Sequence, residues 1–463
     1  MPFSKYLESK RADLKRLVGY LGEKFSYVSV LGTDVKATVY MANRNAQSVR
    51  DGSGECGFVA KMHDGNAFYE YSFSEIGSSV KDLADKILSQ VKLADGVKTV
   101  DKTTVNDEKL VQSFLRESDF EKYSDGDLLT FCVELKDSIM AKDKKAVNAA
   151  VMLQPYTVSK IFISKNRELD QHYGWVNGIC TVTYADGKIV QPREGHHYYL
   201  LSEVLENLPK KVDKLLDKAR HLAKATPIKP GVYDVITDSS ITGLIAHEAF
   251  GHGVEMDQFV KERALAKEYV GKYVASPITN MRDGAGATLS AASYFFDDDG
   301  VLAHDTQIIC NGVLVTGISD LVSASVLGTE PTGNGRRESY KRKAYSRMTN
   351  TFFERGTDKL EDMIKSIKHG YMLFETNNGM EDPKNWQIQC TAEYGIEIVD
   401  GKLTENYVSP VVMSGSVPEL LKSITMISDD FEVIGAGSCG KGYKEWVRVS
   451  DGGPCLKVKV KLA

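Results

Sequence analysis

The strongest local constraint in this chain is a pair of histidines five residues apart, in the segment HEAFGH at residues 247–252. The apolar segment ITGLIA leads into it and favours a helix. On a regular helix of about 3.6 residues per turn, a five-residue spacing separates two side chains by about 140°. His247 and His252 can therefore share a face only if one turn contains an extra residue or the helix ends near Gly251. Glycine favours either distortion, because its backbone is permissive.

The residue types in this segment are those of a metal site. Neutral imidazoles are good zinc ligands, and Glu248, directly after the first histidine, suits a general base that takes a proton from water. The common zinc-peptidase pattern, however, has its histidines four residues apart. The alternative is that His247, Glu248 and His252 are core or outer groups with no metal. The segment alone leaves both interpretations open.

Composition limits the class of protein. The chain has 463 residues, 42% hydrophobic and 26% charged, which is typical of a globular protein with two or three domains. A net charge of -5 argues against a dedicated nucleic-acid-binding protein. No run of about 18 apolar residues predicts a membrane span, and the N-terminal segment lacks a signal-peptide core. We therefore expect a cytoplasmic protein. Its seven cysteines, with no CxxC pair, indicate reduced thiols.

The pattern of elements predicts an α+β fold with two domains. The proline-rich segment TPIKPG at 226–231 is the best boundary. It divides an N-terminal domain of mixed helix and sheet, residues 1–225, from a mainly antiparallel β C-terminal domain, residues 226–463, that carries the histidine helix. We expect the N-terminal domain to form a groove for substrate or partner.

Individual elements follow from apolar periodicity and turn residues. Helices are predicted near 3–23, 75–93, 126–142, 200–225, 257–270, 358–369 and 417–424. Strands are predicted at 27–31, 36–40, 57–61, 147–165, 173–191, 445–449 and 456–462, with a polar loop over 92–107. Three dipeptides predict two-residue hairpin turns: Asp186-Gly187, Asn311-Gly312 and Asp400-Gly401.

A catalytic zinc site needs a third protein ligand and an open position. By chemistry alone the candidates are Glu255, Asp257, His304, Cys439 and Cys455. Cys439 stands out, because it lies in the glycine-dense segment GAGSCG, predicted to be a loop, and a thiolate is a strong zinc ligand. This segment also matches the glycine pattern of dinucleotide-binding sites, but no helix start follows it. We therefore reject a dinucleotide site.

The segment HEAFGHGVE, residues 247–255, resembles the HExxxH signature of the TldD/PmbA family of metallopeptidases, historically called modulators of DNA gyrase. The resemblance extends, in the family's order, over most of residues 230–455. It includes segments 294–300, 331–339, 347–351 and 437–441. Residues 1–225 resemble the family only in their helix and strand layout.

The resemblance implies a function and a set of site residues. It assigns zinc ligation to His247, His252 and Cys439 and the general-base role to Glu248; because all four are present, the chain is similar to the family's catalytic type. The implied activity is hydrolysis of unfolded or flexible peptides through metal-activated water, in an enclosed site formed with a second subunit. That subunit is either a second copy or a family member without the motif.

A second loop is a candidate for substrate contact. The segment GNGRR at 333–337 is rich in backbone donors and charge. It is either a surface turn or a loop that grips substrate backbone or carboxylate. We expect the substrate cleft to be bordered by Gly333, Asn334, Arg336, Arg337 and Asn350.

A function of another class stays open. The chain could be a non-catalytic regulator that binds a protein partner, with a structural metal or none. A closed four-ligand metal site would favour the regulator, whereas an open coordination position would favour the peptidase.

Overall fold

The computed structural model describes residues 3–91, 107–442 and 444–463. Among these residues, no helix is both long and apolar enough to cross a membrane. The loop predicted over 92–107 lies outside the described residues except for Asp107.

Nine strands from the first half of the chain form one sheet. Their bounds are β1 Tyr27–Asn43, β2 Gln47–Asp51, β3 Glu55–His63, β4 Phe68–Phe73, β5 Leu110–Leu115, β6 Ala146–Ser164, β7 Arg167–Asp186, β8 Lys188–Val190 and β9 Arg193–Tyr198. The main order is β4-β3-β1-β6-β7-β5, with β2 on β1 and with β8 and β9 on β7. All pairs are antiparallel except β5 with β7.

Five helices accompany this sheet: α1 Lys5–Gly22, α2 Val80–Gln90, α3 Asp125–Lys142, α4 Leu201–Asn207 and α5 Val212–Lys224. Short 3₁₀ turns lie at Phe120–Lys122 and Pro209–Lys211. Helix α1 begins where the Ser4 hydroxyl accepts a hydrogen bond from the Leu7 N–H at 3.2 Å, the arrangement of an N-cap. Its five buried apolar residues recur at helical spacing and pack on strands β1, β3 and β6.

The two faces of the sheet have different partners. Side chains of successive strand residues point to opposite faces. On β6, Ile161 and Ile163 pack with helices α1 and α2. The intervening Phe162 packs instead with Phe296 from the second half of the chain. The sheet is therefore covered by helices on one face and contacts the C-terminal half on the other.

The second half contains strands β10–β24 and helices α6–α10. The strands are β10 Gly231–Thr237, β11 Met281–Asp283, β12 Thr306–Cys310, β13 Val313–Leu314, β14 Gly335–Arg336, β15 Tyr345–Ser346, β16 Asn350–Phe353, β17 His369–Asp382, β18 Gln387–Val399, β19 Lys402–Val408, β20 Val411–Ser416, β21 Met426–Ile427, β22 Glu432–Lys441, β23 Lys444–Gly453 and β24 Leu456–Leu462. The helices are α6 Ser239–Leu244, α7 Met256–Val260, α8 Leu321–Leu327, α9 Leu360–Lys365 and α10 Val417–Lys422.

Five of these strands close on themselves. The order β10-β17-β18-β20-β24 is completed by pairing of β24 with β10, and β19 and β21 add to its outside. Only β10 with β17 is parallel. Closure leaves no free edge within the ring of five strands.

A six-stranded sheet stands beside this ring, in the order β13-β12-β11-β16-β23-β22. Its only parallel pair among the described strands is β16 with β23. Helix α6 and the turns after it pack between the two sheets, against β17 and β23. Strand β22 is the last strand of its sheet, so the Cys439 that it carries lies at a sheet edge.

The structure confirms the α+β class and the two-residue hairpin turns at Asn311-Gly312 and Asp400-Gly401. At Asp186-Gly187 there is a hairpin, but its register pairs Ala185 with Ile189 and Asp186 with Lys188, so the predicted two-residue turn was wrong there. At Asn311-Gly312 and Asp400-Gly401 both residues have positive φ (48° and 81°, 47° and 76°), as a type I′ turn requires. All strands up to β9 lie before residue 226 and all later ones after it. The domain boundary itself stays a prediction.

Several predicted bounds were wrong. The helix predicted over 257–270 is only α7 followed by a 3₁₀ turn at Leu265–Tyr269. The helix predicted from residue 75 begins at Val80, because the Ser79 hydroxyl caps it there. The glycine-dense segment with Cys439 is not a loop but the edge strand β22. The pattern of glycines suggested a turn, but pairing with β23 holds the segment extended.

Candidate metal centre

The helix that carries the two histidines is distorted in the way the spacing predicts. Helix α6 begins at its N-cap Asp238, whose carboxylate accepts from the Ile241 N–H at 2.8 Å. It continues into a π-helical segment, Ile245–Gly251, and a 3₁₀ turn, His252–Val254. The His252 N–H donates to the His247 carbonyl, the five-residue hydrogen bond of a π-helix. The two imidazoles consequently face each other, with ring centroids 5.1 Å apart.

Gly251 has a different role from the one expected. Its φ of -58° and ψ of -49° are ordinary helical values, so the distortion does not use glycine's backbone freedom. Instead, a Cβ atom at this position would lie 2.1 Å from the Met348 sulfur. The missing side chain lets the segment approach Met348, which precedes β16.

Cys439 joins the two histidines. Its Sγ lies 3.2 Å from His252 Nε2, and one ligand atom from each of His247, His252 and Cys439 lies within 4.8 Å of the others. In tetrahedral zinc sites, ligand atoms lie about 3.3–3.6 Å apart. Among the residues that the structure describes, this is the only cluster of three or more such ligands. The other candidates, Glu255, Asp257, His304 and Cys455, are not part of it.

The electrostatics fit a bound cation. Burial alone would raise the pKa of the Cys439 thiol, but the charges and hydrogen bonds of His247 and His252 lower it to about 4. Burial would likewise lower the pKa of His247, but Cys439 raises it to about 9. These pKa shifts favour a thiolate, the form that binds metal, between two imidazoles that would lose their protons to solvent when a metal ion binds.

Glu248 lies beside the cluster. Its Oε2 is 3.9 Å from His252 Nε2, and its side chain is 17% exposed. Burial raises the pKa of Glu248 above its usual value, while the positive charges of His247 and His252 act in the opposite direction. A carboxyl with a raised pKa is suited to accepting and returning a proton near neutral pH.

Arg347, which sequence reasoning did not place in the site, holds the ligand Cys439, and Glu255 holds the ligand His252. Arg347 donates from Nη2 to Cys439 Sγ at 3.1 Å and to the Cys439 carbonyl at 3.0 Å, and its Nε donates to Glu255 at 3.1 Å. Glu255 lies 3.2 Å from His252 Nδ1 and 3.1 Å from Lys441 Nζ. Glu255, considered as a ligand, therefore orients a ligand instead.

Arg347 and Lys441 could have been suspected from the sequence, because both lie in segments that carry the family resemblance. Glu381 gave no such signal. Both of its oxygens are buried without a hydrogen-bond partner among the described residues, and burial raises its pKa well above the usual value. Its Oε1 would lie 2.9 Å from a Cβ atom on Gly253, next to His252.

The five residues expected to border substrate do not enter the ligand cluster. The Asn334 amide donates to Asp283 at 2.7 Å, and the Asn350 amide donates to Gly284 and Thr288 carbonyls at 3.1 and 3.0 Å. The Gly333 carbonyl accepts from the Tyr294 hydroxyl at 2.7 Å.

Of the five residues expected to border substrate, the two arginines line a cavity. Arg336 and Arg337 line a cavity that Ser438, the neighbour of Cys439, also lines. Arg337 is held by Glu70 at 3.2 Å. Substrate contact by the five residues stays a prediction.

Two histidines, a cysteine and an adjacent glutamate on this α+β scaffold define the class of a metal-dependent hydrolase site. The family model described as PmbA/TldA metallopeptidase C-terminal domain matches residues 230–462. The chain belongs to the PmbA/TldD family.

Relatives with similar sequences are named as metalloproteases. A metalloprotease of Methanothermobacter thermautotrophicus is 33% identical over 244 residues, 52% of each chain. A zinc metalloprotease TldD homolog of Saccharolobus solfataricus is 31% identical over 281 residues, 60% of each chain. The matches thus span about half the length of the curated relatives. These names support a metalloprotease.

Solved structures share the whole fold at low identity. A putative modulator of DNA gyrase from Thermotoga maritima has a TM-score of 0.78 and 19% identity, covering 98% of this chain and 99% of its own. TldE from Thermococcus kodakarensis has a TM-score of 0.76 and 18% identity, covering 97% and 100%. The shared fold therefore includes the N-terminal sheet.

Proposed function

We propose that this chain is a zinc-dependent peptidase that hydrolyses peptide bonds in unfolded or flexible peptides. The observation that carries the proposal is the convergence of His247, His252 and Cys439, with Glu248 at its side. These three side chains would hold the ion. Lewis-acid polarisation of a peptide carbonyl and activation of water are the chemistry that a bound zinc ion supplies.

The chain's own residues supply proton transfer and positioning. Glu248 takes the proton of the attacking water and returns it to the leaving amine, a role for which its buried position and raised pKa suit it. Glu255 fixes the orientation of the His252 ring through Nδ1, which leaves Nε2 facing Cys439. Arg347 holds the strand that carries the thiolate. Three protein ligands leave one coordination position for substrate or water, which supports the peptidase over the closed site of a regulator.

The remaining parts of the proposal rest on the family resemblance. They are an assembly of two subunits, homodimeric or with a family member that lacks the motif, and a cytoplasmic location. Residues 1–225 would contribute to peptide binding.

The test is zinc content together with hydrolysis of a mixture of unfolded peptides, for the wild-type chain and for Glu248→Gln. We expect about one zinc per chain in both, and turnover lower by about 10³-fold in the variant, within the range for loss of a general base. The exposed Glu405→Gln is the matched control and should behave as wild type. Undiminished hydrolysis by Glu248→Gln would exclude the proton-transfer role.

A further inference from the structure

The cavity lined by Arg336, Arg337 and Ser438 lies behind the strand that carries Cys439. Successive strand residues point to opposite faces, so Ser438 faces away from the ligand cluster, and its register partner Arg448 shares that face. Both line this cavity of about 490 Å³, a size common for ligand sites. Its walls also include Tyr156, Tyr173 and Tyr294.

Guanidinium groups lie against the tyrosine rings of this cavity. The Arg448 guanidinium carbon is 3.7 Å from the centroid of the Tyr156 ring, and that of Arg336 is 5.6 Å from the Tyr294 ring. Such cation–π contacts fix the plane of each guanidinium. The tyrosine rings do not neutralise the positive charge of the guanidinium groups.

A third arginine, Arg116, packs on the lining residue Tyr173 without itself lining the cavity, and it adds to the positive charge near the cavity. Arg116 lies over Tyr173 at 5.7 Å and donates to the Ser293 carbonyl at 3.2 Å. In the part of the chain that the structure describes, no carboxylate lies within 4 Å of Arg116, Arg336 or Arg448. Arg336 donates to a carbonyl as well, that of Met348, at 2.5 Å. The three arginines are partly buried, and a partly buried charge without a counter-ion is less favourable than a paired one, so the two that line the cavity, Arg336 and Arg448, favour an anion there.

The carboxylates that do line the cavity have other partners. Asp298 is paired with Lys160 and also accepts from the Arg337 N–H at 2.8 Å. The other three accept backbone N–H groups: Glu55 from Tyr340 at 3.1 Å, Glu338 from Glu445 at 2.9 Å, and Asp297 from Gly335 at 2.8 Å. These carboxylates are held by bonds within the fold and form no ion pair with Arg336 or Arg448.

We propose that this cavity is a subsite for a carboxylate of the peptide substrate, either an acidic side chain or the C-terminal carboxylate. A guanidinium matches a carboxylate with two parallel hydrogen bonds, and the tyrosine rings give the apolar walls that peptide stems pack on. Ser438 is the residue before Cys439 and β22 is an edge strand, so a peptide whose carboxylate is held here would have to pass that edge to reach the ligand cluster on the other face. The inference rests on the proposed peptidase function and assigns it a preference for acidic peptides.

The test is equilibrium binding of fluorescent unfolded peptides to zinc-loaded Glu248→Gln, which binds without hydrolysis. Three peptides are compared. The first has no acidic side chain and an amidated C-terminus. The second is the same peptide with one residue replaced by glutamate, and the third is the first peptide with a free C-terminal carboxylate. We expect one or both carboxylate peptides to bind about tenfold more tightly than the neutral one, as for a charge-assisted contact. Adding Arg448→Gln should reduce this preference to near one. The peptide that shows the preference identifies the source of the carboxylate.

Controls keep the result interpretable. Arg355 is an exposed arginine over Phe431 at 5.5 Å, outside the cavity, so Arg355→Gln should keep the preference. Arg336→Gln, at the other lining arginine without a carboxylate partner among the described residues, gives an independent reduction if Arg448→Gln does not fold. Equal binding of all three peptides, or a preference that survives both cavity variants, would overturn the proposal. So would displacement of the acidic peptide by inorganic phosphate at the same concentration, which indicates a general anion site.

The subsite and the peptidase can fail separately. If the chain hydrolyses no peptide, the binding preference is still measured with Glu248→Gln. If the subsite is wrong, hydrolysis by the wild-type chain continues without a preference for acidic peptides.

Discussion

His247 and His252 lie one distorted turn apart on a continuous segment of chain, whereas Cys439 is 187 residues beyond His252, on an edge strand. The histidines are positioned by local hydrogen bonds of the helix. The cysteine is positioned by contacts that reach beyond its strand: Arg347 donates to Cys439, and Lys441, at the end of the same strand, donates to the Ser346 carbonyl. One side of the ligand cluster is therefore encoded locally, and the other depends on side chains from distant segments.

Of the substitutions considered, removal of the Arg347 side chain, which supports Cys439 from a distant segment, should lower the free energy of unfolding most. Arg347 is 1% exposed and bonds both Cys439 and Glu255, so Arg347→Met removes one partner of a buried carboxylate, whose other partners include Lys441 and His252. We expect a loss of about 3 kcal/mol in the free energy of unfolding, measured by urea denaturation, together with reduced zinc content. Arg220→Met, which removes a half-exposed ion pair with Asp143, is the control and should cost about 1 kcal/mol or less. Equal losses in the two variants would contradict the distinction between the two sides.

Filling the space at Gly251 tests the local side. In Gly251→Ala the new Cβ would meet the Met348 sulfur, and we expect a loss of about 2 kcal/mol from overpacking. Adding Met348→Ala should recover part of that loss, in a double-mutant cycle. Gly19→Ala is the matched control: nothing lies within 4 Å of its Cβ, so this change within α1 should be neutral or stabilising. No coupling between positions 251 and 348 would refute the packing role.

The smallest change in the free energy of unfolding at pH 5 is expected for a substitution at Asp238, the N-cap of helix α6. Burial raises the pKa of Asp238 to about 7, although the Ile241 and Glu375 N–H groups it accepts from act to lower it. A folded-state pKa above the unfolded value of about 3.9 means that the folded state binds the proton more tightly. The contribution of the protonated Asp238 to the free energy of unfolding is therefore fully present at low pH, and it is lost as the pH rises towards about 7.

Asp238→Asn removes this titration but keeps a good N-cap, so at pH 5 we expect a change of about 1 kcal/mol or less. The measurement is the free energy of unfolding of both proteins from pH 4 to 8. The wild type should lose stability relative to the variant as the pH rises. Parallel curves would show that Asp238 does not titrate in this range.

The difference between local and long-range contacts also decides which features could be predicted from the sequence. The five-residue spacing of His247 and His252 predicted a distorted helix, because the constraint lies within one turn. The two-residue turns at Asn311-Gly312 and Asp400-Gly401 were predicted correctly for the same reason. That Cys439 lies on a strand depends on its pairing with β23, and the roles of Arg347 and Glu255 depend on contacts across about 90 residues. Such contacts leave no periodic signal in a single sequence.

The central claim is that the two histidines and the distant cysteine form one metal site. Its most direct test is zinc per chain by elemental mass spectrometry, for the wild type, His252→Ala and Cys439→Ser, purified without chelator or metal-binding tag. The account predicts about one zinc in the wild type and almost none in either variant, with folding checked by circular dichroism. Full zinc retention in folded Cys439→Ser, or no zinc in the wild type even after zinc is added back, would contradict it.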